Sequence, residues 1–251
     1  MIVVTGPGRS GTSLVASIYR ELGFETGGEW IAETNAGWED WDVVVANSRI
    51  ISDLRCSVMT NRSADEKIRR SVTGEVEGQP LRRVRSAVQT MTRRALGQRE
   101  PALELVPWAR FDEIVEKHAP DLRALARQHA VVKDPRFCWT IGAWAQAGAE
   151  IDHVLVCVRN VRAMVQSRLR ANHILFQDAT EAMNAFIYGM GVCMASLHDY
   201  RIPYDIVQFP DFLEWPDELY RKMRFPREVS RAEFDGALAA VRRDELVHDR
   251  S

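Results

Sequence analysis

No run in this sequence approaches the roughly 18 apolar residues that a transmembrane helix needs, so a helical membrane span is excluded. Net charge is scarce too. A formal balance of -2 creates no whole-molecule field that would draw nucleic acid or an anionic membrane, so any anion site must be built locally. Cysteines are few and scattered, at Cys56, Cys138, Cys157 and Cys193, with no C-x-x-C pair among them. That spacing speaks against a metal or dithiol site and against a disulfide framework. Buried structural thiols in a reducing compartment are the expectation. A secretory leader pattern is missing, because Ile2-Val3-Val4-Thr5 runs directly into a glycine-rich turn. There is no internal repeat and no low-complexity tract. These absences point to a cytoplasmic protein with no nucleic-acid partner and no transmembrane segment.

What is present reads as one folded domain spanning residues 1–251. Its 46% hydrophobic and 27% charged content is ordinary for a soluble chain of a length that buries a sizeable core. A β-branched strand at 2–5 leads through Gly6-Pro7-Gly8-Arg9-Ser10-Gly11-Thr12-Ser13 into a helix, with Leu14, Ile18 and Leu22 on one face and Gly23 as a stop. A second helix is expected from about Asp42. Residues 61–100 are arginine-rich and broken by Gly74, Gly78 and Pro80, which predicts a helical insertion at about 60–100. Further on, the pattern predicts a helix over 110–128, a strand at 130–133 stopped by Asp134-Pro135, and a helix over 138–147. The clearest central strand follows at His153–Val158, then a helix over 161–171. A long helix over 180–200 carries an apolar stripe of Ala182, Met183, Phe186, Ile187, Met190, Cys193, Met194 and Leu197, and a last strand at 205–209 is followed by helices. Strands alternating with helices imply an α/β protein: a three-layer α/β/α arrangement around a short parallel sheet.

The segment Gly6–Ser13 has the length of a phosphate-binding loop. Its glycines permit backbone angles that let successive N–H groups converge on an anion, and the following helix aims its unsatisfied amides and positive dipole end at the same point. Thr12 and Ser13 add hydroxyls. The triphosphatase pattern G-x-x-x-x-G-K-[ST] places a lysine where this chain has Thr12, and here the cation has moved into the loop as Arg9. A triphosphate with Mg²⁺ needs that lysine; a phosphosulfate carries less charge and leaves without a metal.

On these residues the chain resembles the sulfotransferases that use 3′-phosphoadenosine 5′-phosphosulfate (PAPS), and implies their P-loop-NTPase-like fold. The resemblance implies that Arg9 contacts the phosphosulfate and stabilises the leaving oxygen, while Gly8, Ser10, Gly11, Thr12 and Ser13 cradle the phosphate. It also implies a second grip, on the 3′-phosphate, from an arginine at a strand end and a serine eight residues on; here these are Arg159 and Ser167, with Arg162 and Arg170 on the same helix. Val161 stands where the family commonly has proline, and the late R-K-G motif of the cytosolic branch is absent, so the chain looks closer to the bacterial branch. No metal is expected.

Sulfuryl transfer needs in-line positioning, charge stabilisation and a base for the acceptor proton. In Asn35-Ala36-Gly37-Trp38-Glu39-Asp40-Trp41, which leads to Asn47, Glu39 matches the family glutamate that faces the acceptor; Asp40 is the next candidate base. A plain helix N-terminal charge also accounts for an acid there. Lys133, in Lys133-Asp134-Pro135-Arg136 at a strand end, could reach the sulfuryl oxygens, with Asp134 orienting it or serving as an alternative base. His173 reads as a loop residue, and the arginines at 69, 70, 82, 83, 85, 93 and 94 as a solvated face or an anion-steering one. Trp30, Trp38, Trp41 and Trp108 read as core residues or as the lining of an acceptor pocket. The expected acceptor is a hydroxyl or amine of a small molecule, carbohydrate or lipid. Two other readings remain open at this point: a P-loop small-molecule kinase using ATP, and a non-catalytic nucleotide-binding regulatory module.

Overall fold

Every residue of Ile2–Thr5 is β-branched and buried, and this segment forms β1, an inner strand of the sheet. The computed structural model describes residues 1–28, 30–31, 36–53, 108–170 and 179–243. Within them β1 pairs in parallel with Val131–Lys133 (β4) on one side and with His153–Arg159 (β5) on the other. Tyr204–Phe209 (β6) extends the sheet in parallel beyond β5, giving four strands in the order β4-β1-β5-β6. A separate two-stranded antiparallel ribbon, Trp30–Ile31 (β2) with Ala36–Gly37 (β3), was not expected from the sequence. Strands of two residues carry no readable alternation.

Because both faces of a parallel sheet are covered, its strands read as apolar runs rather than alternating ones. Val3, Val132, Val154 and Val156 face one cluster, packed by Trp41–Asp53 (α2), Trp108–Gln128 (α3), Phe137–Gln146 (α4) and Ala179–Asp199 (α6). Ile2, Val4, Val131, Leu155, Cys157 and Val207 face the other, packed by Thr12–Glu21 (α1), Pro216–Lys222 (α7) and Arg231–Arg243 (α8). Val161–Arg170 (α5) follows β5 directly, and its Met164 and Val165 meet Phe186 of α6. Helices therefore flank the sheet on both sides.

The stripe on α6 is narrower than its sequence pattern. Phe186, Cys193 and Leu197 are buried, whereas Ile187 is 56% exposed. Ile187 lies about 100° around the helix from Phe186, outside the arc that faces the core. Cys138, Cys157 and Cys193 are all buried thiols, and burial pushes the Cys157 thiol upward. They behave as core residues. No helix among the described residues is long and apolar enough to cross a membrane. The predicted insertion at 60–100 lies outside the described residues.

Candidate functional site

The C-terminal ends of the parallel strands bring the sequence motifs together, and the turn after β1 is the first part of that site. Gly6 cannot carry a side chain: at φ 149° a Cβ would stand 2.1 Å from the Cys157 carbonyl oxygen. Gly11, the residue before α1, has φ 92°, and a Cβ there would meet the Phe209 ring at 2.8 Å. Gly8 does not take a left-handed conformation. The third left-handed position of the loop is Arg9, at φ 75°, an uncommon conformation for a residue with a side chain. No side chain caps the N-terminus of α1, so its first-turn amides remain directed at the loop. The Ser10 hydroxyl is buried in the loop with no hydrogen-bond partner. A buried hydroxyl in that condition is costly, and it faces the kind of turn that holds anions.

The second part comes from β5 and α5. Arg159 is the last residue of β5, and Ser167 sits two turns into α5, 3% exposed. Arg9 donates from Nε to Ser167 Oγ at 3.1 Å, although the two are 158 positions apart. Arg159 Nη1 reaches the Arg9 carbonyl oxygen at 3.4 Å, a long contact, and its guanidinium lies over the Phe209 ring at 4.9 Å. Two guanidiniums, one hydroxyl and the amide end of α1 thus share one place.

The third part is built around Lys133, the last residue of β4. Register alone brings it there, since Lys133 pairs with Val4 next to the loop. Its side chain is 1% exposed, and its ammonium donates to Ser13 Oγ at 3.1 Å, to the Gly37 carbonyl at 3.0 Å and to Glu39 Oε1. A lysine this buried is tolerated because all three of its hydrogens find acceptors, one of them charged. Glu39 is held from the other side by Trp38, whose indole donates to Ser17 Oγ at 2.8 Å and stacks under the Arg20 guanidinium at 4.1 Å. Trp38 has φ 67°, so the segment presenting Glu39 is strained and clamped onto α1.

The remaining acids are committed elsewhere. Asp40 accepts the backbone N–H groups of Asp42 and Val43 at 3.0 and 3.1 Å, making it the N-cap of α2, with His129 at 3.7 Å. Asp134 is fully buried. One oxygen accepts from Asn47 at 2.9 Å, and the other from the Arg136 backbone and guanidinium at 2.9 and 3.0 Å. Asn47 in turn accepts from Thr140 at 2.6 Å and Trp144 at 2.8 Å. That network ties α2 and α4 to the strand end behind Lys133.

Trp41 is 49% exposed at the start of α2. His173, the side chains of Trp30, Trp108 and Arg170, and the arginines between 69 and 94 lie outside the described residues. Sequence reasoning did not find the Trp38–Ser17–Arg20 clamp or the role of Asn47 as a hub. A buried asparagine inside an otherwise apolar helical run was the available signal for the latter. A cavity of about 630 Å³ lies at the opposite, N-terminal edge of the sheet, lined by Ile2, His153, Tyr204, Asp205, Arg224 and Phe225 among others. It shares no residue with the site above. Compared with protein-family models, with curated proteins and with solved structures, the chain finds no match.

Proposed function

We propose that this chain is a sulfotransferase of P-loop-like, three-layer α/β/α fold, moving a sulfuryl group from PAPS to a hydroxyl or amine of a small-molecule, carbohydrate or lipid acceptor. The observation that carries the reading is the contact of Arg9 with Ser167, beside Arg159. Two motifs far apart in the chain meet within one hydrogen bond, as they must if they grip the 5′ and 3′ ends of a single ribose.

In this reading the α1 amides, Ser10, Thr12 and Ser13 hold the 5′-phosphosulfate, and Arg159 with Ser167 holds the 3′-phosphate. The acceptor oxygen attacks sulfur in line. The S–O bond to the acceptor forms as the bond from sulfur to the bridging phosphate oxygen breaks, and adenosine 3′,5′-bisphosphate (PAP) leaves. The acceptor proton passes to Glu39. Arg9 and Lys133 stabilise charge on the bridging and sulfuryl oxygens respectively, which is where preorganised cations lower a barrier most.

The kinase reading is disfavoured by Lys133. Ser13 stands where triphosphatase loops use a hydroxyl to hold Mg²⁺, and here an ammonium lies 3.1 Å from that oxygen. A fixed cation there repels a dication. Calorimetry with PAP, and separately with ATP and Mg²⁺, tests the choice. Binding of PAP without added metal is expected; binding of ATP that requires Mg²⁺, with none of PAP, refutes it. Labelled sulfuryl transfer to any acceptor removes the non-catalytic reading.

A further inference from the structure

Lys133 has three hydrogens and three acceptors already: Ser13 Oγ, the Gly37 carbonyl and Glu39 Oε1. A sulfuryl oxygen arriving at the loop would be a fourth claimant. Of the three, the Gly37 carbonyl is backbone fixed in the β2–β3 ribbon, and Ser13 is part of the phosphate loop itself. Glu39 differs from both. Its side chain is 23% exposed while that of Lys133 is 1% exposed, so the carboxylate has water to turn to when its partner is drawn away. It is also the group whose oxygen must be open if it is to take a proton.

We propose that the donor and Glu39 compete for Lys133: the sulfuryl group of PAPS draws the ammonium away and thereby frees the Glu39 carboxylate to meet the acceptor. This rests on the sulfotransferase reading and adds a coupling to it. The oxygen that takes the acceptor proton becomes available when the group to be transferred is in place, so the acceptor is activated only beside a bound donor. Nothing is transferred in the exchange itself; one ammonium hydrogen bond passes from a carboxylate to a sulfuryl oxygen.

The test is calorimetric binding of PAPS and of PAP to the full chain and to Glu39→Gln, Lys133→Met and the double variant. Removing the competitor should tighten PAPS binding in Glu39→Gln by roughly five-fold or more, the size expected for coupled contacts. The gain should shrink below about two-fold in the Lys133→Met background. PAP, which lacks the sulfuryl group, should gain less than PAPS, and this comparison needs no Lys133 variant. An equal gain for PAPS and PAP, or an equal gain in both backgrounds, means that Glu39 acts only as a repelling charge and overturns the exchange. Unchanged or weaker PAPS binding in Glu39→Gln also overturns it. If the unaltered chain binds neither ligand, the underlying reading fails instead.

Discussion

Replacing Arg9 by alanine removes a guanidinium but leaves the backbone carbonyl that Arg159 touches at 3.4 Å and the turn that Gly6 and Gly11 require. The donor lost is charged and held in place by Ser167 at 3.1 Å, so it is preorganised rather than recruited. Loss of one such donor to developing charge costs about 10²–10³ in turnover, or about 2.7–4 kcal/mol. Backbone strain complicates the comparison, because Arg9 sits at φ 75° and alanine is no more comfortable there. Arg9→Gly separates the two effects. Glycine relieves about 1 kcal/mol of left-handed strain, so it should unfold at a higher temperature than Arg9→Ala while losing turnover equally. The assay is PAP release from labelled PAPS with a panel of hydroxyl and amine acceptors, beside thermal unfolding of each variant. Turnover close to the unaltered protein in both variants would refute the role given to Arg9. A glycine variant that recovers turnover would mean that loop geometry, not the guanidinium, was lost.

Arg159→Ala should weaken PAP binding by about ten-fold or more and Ser167→Ala by about five-fold, the difference between a charged and a neutral hydrogen bond. Unchanged PAP affinity in both would mean the 3′-phosphate lies elsewhere. Asn47→Leu should destabilise the fold by about 2–4 kcal/mol in chemical denaturation, because it strips the partner from the Trp144 indole and from one Asp134 oxygen and leaves Thr140 only the Arg136 carbonyl at 3.2 Å; a loss under about 1 kcal/mol would show that they find other partners. His153 offers a pH test. Burial lowers its pKa; the Asp205 carboxylate at 3.4 Å and the Lys222 carbonyl oppose this, the Arg224 guanidinium adds to it, and burial prevails. The unfolded chain then binds the proton more readily, so the contribution is whole above about pH 6.5 and is lost as pH falls below it. Thermal midpoints should drop over that window less steeply in His153→Gln than in the unaltered chain, and parallel curves would exclude the effect.

Much of this molecule is written in local sequence. β1, the glycine loop and α1 are continuous in the chain, and β-branched residues, positive-φ glycines and helical spacing each declare themselves within a few positions. The same holds for β5 and α5: an arginine at a strand end and a serine eight residues later stay in fixed relation because a helix has a fixed pitch. The dual function of single residues was not legible. Arg9, not Gly8, takes a left-handed position in the loop, and Gly6 and Gly11 are held to glycine by the close approach of Cys157 and Phe209. Asp40 is a helix cap and Asp134 a buried tie, though as sequence Asp40 read as the next candidate after Glu39 and Asp134 as an alternative base.

The meeting of Lys133 with Ser13 and Glu39, and of Arg9 with Ser167, belongs to tertiary structure alone. Sequence proposed each residue but held no information on which would touch. Those contacts follow from sheet order: β4 and β5 both lie against β1, so strand ends far apart in the chain surround the one loop that β1 carries. A strand's neighbours are selected by the packing of two whole apolar faces, a sum over many residues. No short stretch of chain can encode it.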